Sequence, residues 1–105
     1  MKLVLVLTTL GADADASTLA RTLVEERLAA CVNILPIMTS IYRWKGNLEE
    51  AREQQLLIKT TLERVEALAS RLRDLHPYDL PEFIVLEGKG SDGYAGWVDE
   101  STRPS

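Results

Sequence analysis

The stretch SIYRWKGNLEEAREQQLLIKTT, residues 40–61, predicts the feature that organises this chain, a long β-hairpin. Its first part is rich in β-branched and aromatic residues, which favour strands. The KGN sequence at 45–47 is typical of a tight hairpin turn, because glycine and asparagine tolerate positive φ angles. Residues 48–55 have helical propensity, but a tight turn after a long strand favours a returning strand. We therefore predict a second arm over 47–60, whose polar half is solvated or contacts another subunit.

The first arm of the hairpin extends upstream of this stretch. Residues 31–44, CVNILPIMTSIYRW, are rich in valine, isoleucine, threonine and aromatic residues and predict one long strand. Pro36 cannot donate a hydrogen bond to a neighbouring strand, so it marks an edge or a bulge within this strand.

Two segments with helical periodicity flank the hairpin. Over 14–29, apolar residues including the leucines at 19 and 23 form one stripe, preceded by candidate helix caps at Asp13, Asp15 and Ser17. Over 60–76, the core stripe comprises Val65, Leu68, Leu72 and Leu75. Thr60 and Glu63 have the spacing of a capping box, and the His-Pro pair at 76–77 ends the helix.

Two further strands and a short helix complete the predicted elements. Residues 2–9, KLVLVLTT, form a continuous apolar run typical of a buried central strand, and residues 82–87, EFIVLE, form a short last strand. The helical spacing of three apolar residues indicates a terminal helix containing Tyr94, Trp97 and Val98. Residues 101–105 are predicted to fray.

The resulting order, β-α-β-β-α-β, is that of a ferredoxin-like α+β domain. At 105 residues the chain is expected to form a single domain, 1–105. Both long helices would pack on one face of the sheet, and the terminal helix is too short to cover the other face. An open sheet face in so small a domain indicates a ligand, a partner or an oligomer.

Composition excludes several classes of function. The formal net charge of −4 argues against a nucleic-acid-binding surface, which needs clustered lysine and arginine. No apolar run approaches the roughly 18 residues of a membrane span, and we interpret the apolar start as a strand rather than a signal peptide. The single cysteine, Cys31, cannot form an internal disulfide, which favours a reducing compartment. We therefore predict a cytoplasmic location without a membrane or nucleic-acid partner.

Few side chains could carry chemistry. His76 is the one histidine, and three roles stay open for it: contact with the carbonyl end of its helix, metal ligation, or general-base catalysis. A metal site needs several ligands, and no second histidine or cysteine lies at a suitable spacing. Cys31 fits a small buried residue at a helix–strand junction. Tyr42 and Trp44 share one face of their strand and favour packing between subunits.

Five segments resemble, in order, those of one family: LVEERLAACVNILP, SIYRWKG, LLIKTT, LHPYDLPEFIVL and GYAGWV. Together they are similar to the CutA divalent-cation-tolerance family over about residues 3–100. The resemblance implies a ferredoxin-like homotrimer, in which the hairpin arms complete sheets between subunits, similar to the trimer of the PII signalling proteins. It also implies a protein that is not an enzyme, requires no cofactor and is linked to tolerance of copper and other divalent metals.

The resemblance further implies candidate site residues. Members with a proposed copper site have a cysteine where this chain has Thr8, and two adjacent histidines where it has Leu75 and His76. His76 and Cys31, the latter within a shared AACV motif, are therefore the candidate ligands for copper or another divalent cation. The residues expected in a cleft or subunit interface are Tyr42, Trp44, Glu53, Tyr78, Glu82 and Trp97.

Alternative functions follow from the same architecture. A PII-like regulatory or scaffold trimer would bind a small molecule or a protein partner in clefts between subunits. An acylphosphatase-type enzyme would need an arginine cradle in an early loop, where this chain is acidic. An RNA-recognition module would need aromatic residues on the first strand, KLVLVLTT, which has none.

Overall fold

An antiparallel sheet carries the helices in the computed structural model, which describes residues 2–104. A short 3₁₀ turn, Leu62–Arg64, precedes the second helix, and no helix within the described residues is long and apolar enough to cross a membrane. The elements in chain order are β1 (Leu3–Gly11), α1 (Ala16–Glu25), β2 (Cys31–Ile34), β3 (Met38–Trp44), β4 (Asn47–Thr61), α2 (Val65–Leu75), β5 (Ile84–Gly88) and α3 (Asp92–Thr102).

β4 is the strand around which the sheet is built. The strand order is β2-β4-β1-β5, and β3 pairs with β4 beyond the end of β2. β1 lies antiparallel to both β4 and β5, with Val6 opposite Ile58 on one side and Val85 on the other. The ferredoxin-like α+β class predicted from the sequence is confirmed, and the predicted β-α-β-β-α-β order holds when β2 and β3 are counted as one interrupted arm of the hairpin.

α1 and α2 pack on the same face of the sheet, as predicted. The apolar stripes of the two helices meet the alternate residues of β1 and β4 that point to this face, because side chains along a strand alternate between faces. Burial of each such aliphatic side chain stabilises the fold by about 1.5–3 kcal/mol. The central members of this core are Val4, Val6, Leu19, Leu23, Leu56, Ile58, Leu68 and Leu72.

The first helix is shorter than the predicted 14–29. The Asp15 side chain accepts a hydrogen bond from the Thr18 backbone N–H at 3.1 Å and caps its start. At the other end Arg27 takes a positive φ of 60°, and the Leu28 N–H bonds to the Leu23 carbonyl at 2.9 Å. This pattern is a Schellman motif, which ends the helix at Glu25 although no glycine signals it.

The first hairpin arm is two strands rather than the predicted single strand over 31–44. Residues 35–37 interrupt it, because Pro36 has no N–H to offer the neighbouring strand. The turn has positive φ angles at Lys45 (51°) and Gly46 (80°), the pattern of a type I′ turn. Asn47, predicted to share the positive φ, instead begins β4 opposite Trp44.

Three further expectations are wrong in detail. Thr60 does not cap a helix: it lies in β4, and its hydroxyl donates to the Leu28 carbonyl at 2.8 Å. The polar half of the second arm is not all solvated, because Glu53 and Gln54 are buried within the chain. The chain does not fray from residue 101, since α3 continues to Thr102, whose side chain is 1% exposed.

Candidate functional site

The end of the hairpin projects beyond the rest of the sheet as a two-stranded ribbon. β1 ends at Gly11 opposite Glu53, so residues 47–52 of β4 pair with β3 alone. We call β3 together with residues 47–52 the arm. Because residues two apart on a strand share a face, Tyr42 and Trp44 of β3 lie on the same face of the arm, together with Glu49 opposite Tyr42. This face is continuous with the sheet face that α1 and α2 leave uncovered.

A cleft of about 720 Å³ forms where the arm meets the segment that follows α2. One wall is the inner face of the arm, and the opposite wall is the HPYDLPE segment, residues 76–82. No lysine or arginine lines the cleft among the residues that the structure describes. The lining residues are Thr9, Met38, Ser40, Tyr42, Trp44, Glu53, Gln55, Tyr78, Asp79, Leu80, Pro81 and Glu82.

A tyrosine–glutamate pair joins the two walls. The Tyr78 hydroxyl donates a hydrogen bond of 2.7 Å to the Glu53 carboxylate, which is 7% exposed. Burial, followed by this hydrogen bond and the negative charge of Glu53, raises the pKa of Tyr78 to about 12. The phenol therefore keeps its proton at neutral pH and serves as a donor to the carboxylate rather than as a base.

A second polar pair lies next to the first. The Gln55 side-chain amide donates to the Thr8 carbonyl at 2.7 Å and to the Glu82 carboxylate at 2.9 Å. Because Gln55 lies two residues from Glu53 on β4, the two carboxylates are held on the same face of the sheet. The bonds to strand backbone fix Glu82 at the cleft wall.

His76 is held by backbone groups on both ring nitrogens. Nδ1 accepts from the Tyr78 N–H at 3.1 Å, which places the proton on Nε2, and Nε2 donates to the Thr9 carbonyl at 2.6 Å. The residue is 8% exposed, and its own N–H bonds to the Leu72 carbonyl at the end of α2. The imidazole thus ties the end of a helix to β1, and a metal could bind it only after one of these bonds breaks.

The other candidate ligand lies away from His76. Cys31 is a half-buried free thiol opposite Lys59, whereas His76 meets the sheet at Thr9, opposite Gln55. Four positions of β4 separate these sites, about 13 Å along the strand. Within residues 2–104, no group of three or more histidine, cysteine, aspartate or glutamate side chains is placed to hold a metal. The residues of one chain therefore do not fit copper, and metal ligation by His76 and Cys31 stays a prediction.

Of the six residues predicted for a cleft or interface, five line this cleft. The sixth, Trp97, lies on α3, where its ring centroid is 5.5 Å from that of Tyr94. Sequence reasoning missed several lining residues, chiefly Thr9, Gln55 and Asp79. Gln55 could have been predicted from its spacing, because residues two apart on a strand share a face and Glu53 was already a candidate.

Comparison with known proteins identifies relatives over nearly the whole chain. Residues 4–101 match the family described as CutA1 divalent ion tolerance protein. The divalent-cation tolerance protein CutA of Thermus thermophilus is 48% identical over 98 residues, which cover 92% of this chain and 95% of that protein. The solved structure of a Thermus thermophilus divalent cation tolerance protein (Cut A1) superposes with a TM-score of 0.91 at 46% identity, covering 96% of this chain and 99% of that one.

A second solved structure adds an architectural likeness. The PII-like protein CutA from Nostoc, in its apo form, superposes with a TM-score of 0.88 at 37% identity and covers 100% of both chains. Both the family match and the identity extend through the arm and the HPYDLPE segment, which together form the cleft. The chain therefore belongs to the CutA1 divalent ion tolerance protein family.

Proposed function

We propose that this protein is a homotrimer without enzymatic activity, and that it contributes to the tolerance of divalent metal ions. The arm is the observation that carries the proposal. Within residues 2–104, its outer edges have no strand partner, and its outer face exposes Ile41 and Leu48 by 65% and 73%. An unpaired strand edge is a template for pairing with another chain, and exposed apolar side chains beside it favour a protein–protein contact. The arm therefore supports self-association. The resemblance to the family indicates that the assembly has three subunits.

A second apolar surface supports the same assembly. Ile84 and Leu86 lie on the sheet face opposite α1 and α2, and they are 44% and 48% exposed. α3 packs on part of this face through Val98, which is fully buried. A contiguous apolar surface in a chain of this size is typical of a protein–protein contact. The PII-like description of the Nostoc relative agrees with this reading.

Light scattering tests the assembly directly. We expect a mass three times the 11.7 kDa of one chain. Leu86→Lys should lower that mass, because a charge in an apolar contact lacks a partner. Ala67→Lys, on the exposed side of α2, is the matched control and should leave the mass unchanged. A wild-type protein with the mass of one chain would contradict the proposal.

Direct copper binding is not part of this proposal, because the nitrogens of His76 are occupied and Cys31 lies elsewhere on the sheet. Calorimetric titration of wild type and His76→Ala with Cu²⁺ tests the copper prediction. Saturable binding that His76→Ala abolishes would restore it. The cytoplasmic location inferred from the single cysteine likewise stays a prediction.

The cleft favours a second candidate function, the binding of a small molecule in a PII-like regulatory role. Its volume of about 720 Å³ lies in the range of small-molecule sites. Its lining combines the aromatic rings of Tyr42, Trp44 and Tyr78 with a few fixed polar groups. A thermal-shift screen of small organic cations, neutral compounds and anions tests this role, and a flat response throughout would count against it.

A further inference from the structure

We propose that the cleft between the arm and the HPYDLPE segment binds an aliphatic diamine, a small organic dication. This inference rests on the small-molecule role proposed for the cleft and names the class of ligand. Three observations support it: the negative charges that line the cleft, the Glu53 carboxylate oxygen that has no donor in the described residues, and the aromatic side chains of the walls.

The charge of the cleft selects a cation. Three carboxylates line it, those of Glu53, Asp79 and Glu82, and among the described residues none of them has a lysine or arginine within salt-bridge distance. Three uncompensated negative charges repel phosphates and carboxylates and attract positive ligands. An anionic ligand is therefore disfavoured here.

Glu53 is a buried carboxylate that its own chain satisfies only in part. It is 7% exposed, and its Oε2 accepts from Tyr78. Among residues 2–104, Glu53 Oε1 has no hydrogen-bond donor and keeps contact with solvent, since Thr8 Oγ1 is the one fully buried polar side-chain atom without a partner. A carboxylate oxygen that is open to the cleft can accept a charge-assisted hydrogen bond from a cation, which is stronger than one from a neutral donor. A ligand ammonium group in the cleft would supply that donor.

The number of carboxylates favours a dication over a cation with one charge. Glu53 is on β4, and Glu82 is held by Gln55 two residues further along the same strand, so both carboxylates face the cleft. No group of three histidine, cysteine, aspartate or glutamate side chains is placed to hold a metal ion in the described residues. Two ammonium groups joined by a short aliphatic chain could pair with two carboxylates, which a single ammonium group could not.

The aromatic walls suit the body of such a ligand. Trp44 and Tyr42 are 41% and 42% exposed on the arm face that lines the cleft. Aromatic faces attract alkylammonium groups through cation–π contacts and pack against methylene groups. The Lys45 ammonium already lies 5.8 Å from the centroid of the Trp44 ring, which is within cation–π range.

Calorimetry with three four-carbon compounds tests the proposal. Putrescine, a diamine, should bind saturably, whereas butanediol and succinate should not, since they are neutral and anionic. In a Trp97→Phe background Trp44 is the one tryptophan left, and its fluorescence should change on putrescine addition. Absence of saturation by putrescine, or equal binding of butanediol, would overturn the proposal.

Variants of matched charge separate a site from general attraction to an acidic protein. Glu53→Gln keeps an acceptor for Tyr78 and should weaken putrescine binding about tenfold, and Glu82→Gln should have a similar effect. Glu50→Gln removes the same charge from the opposite face of the arm and should change binding less than twofold. Equal weakening by Glu50→Gln and Glu53→Gln would sink the proposal.

The masses of the same samples separate this proposal from the assembly. Putrescine binding by a protein with the mass of one chain would refute the trimer and leave the diamine site standing. A trimer that binds no putrescine would refute the diamine site and leave the assembly standing.

Discussion

Two buried threonines on neighbouring strands provide a matched test of how a hydrogen bond to a buried hydroxyl affects the stability of the fold. Thr8 and Thr60 are both 0% exposed, and both lie on the face of the sheet that α1 and α2 cover. The Thr60 hydroxyl donates to the Leu28 carbonyl at 2.8 Å, whereas the Thr8 hydroxyl has no hydrogen-bond partner among the described residues. Substitution by valine, which has nearly the same shape, should therefore act in opposite directions at the two sites.

The magnitudes follow from the state of each hydroxyl. A buried hydroxyl without a partner costs about 1–3 kcal/mol of desolvation, so Thr8→Val should raise the free energy of unfolding by about 1 kcal/mol or more. Thr60→Val removes a buried hydrogen bond and leaves the Leu28 carbonyl without its donor, so it should lower that free energy by about 1 kcal/mol. The two variants should therefore differ by about 2 kcal/mol.

Urea denaturation followed by circular dichroism measures this difference. All proteins should be compared at one chain concentration, because self-association makes stability depend on concentration. An unchanged slope with urea would show that the variants alter stability rather than the surface exposed on unfolding. Equal losses in both variants would refute the reasoning, since they would mean that the Thr8 hydroxyl has a partner, such as a buried water.

Three further predictions concern the histidine, the tyrosine and the turn. His76→Ala loses the bonds to the Thr9 carbonyl and the Tyr78 N–H, and should lower the free energy of unfolding by about 2–3 kcal/mol, equally with and without EDTA in urea melts. A loss seen only with added metal would contradict the structural role. Because the Tyr78 pKa rises from 10.0 to about 12 on folding, its stabilisation is present below pH 10 and is lost as the pH rises toward 12. Tyr78→Phe should remove one late-titrating tyrosine from the ultraviolet absorbance and flatten that loss; an unchanged titration would count against it. Gly46→Ala, at a φ of 80°, should cost about 1 kcal/mol, whereas Gly96→Ala, in α3 with open space around it, should gain about 0.5–1 kcal/mol; thermal melts that rank the pair the other way would refute this.

The fold could be predicted from the sequence where the spacing of apolar residues indicates which side chains are buried. The leucine stripes of α1 and α2 and the apolar run of β1 each imply one element, and a tight turn at Gly46 implies a returning strand. Helical propensity over 48–55 was overridden, because pairing along β3 fixes those residues as a strand. The ends of elements were less predictable. The Schellman motif at Arg27 has no glycine to signal it, and a capping-box spacing at Thr60 was cancelled by strand pairing.

The candidate site was harder to predict than the fold, because its contacts join distant parts of the chain. Tyr78 and Glu53 are 25 residues apart, and Gln55 and Glu82 are 27 apart. The sequence named five of the twelve lining residues as members of a cleft or interface, but not which of them bind one another. The partners of a buried polar side chain depend on strand register, and register emerges only when the hairpin and β1 are paired.

Hydrogen bonds to β1 and β4 hold the HPYDLPE segment in position. His76 holds Thr9 of β1, Tyr78 holds Glu53 of β4, and Glu82 holds Gln55 of β4. Each contact anchors the segment to a strand that passes beneath the cleft, so the loop is fixed to the same scaffold as the arm opposite. The one histidine of the chain thus positions one wall of the cleft through its hydrogen bonds to backbone groups, and Glu53 and Glu82 are the carboxylates that this arrangement holds at the cleft.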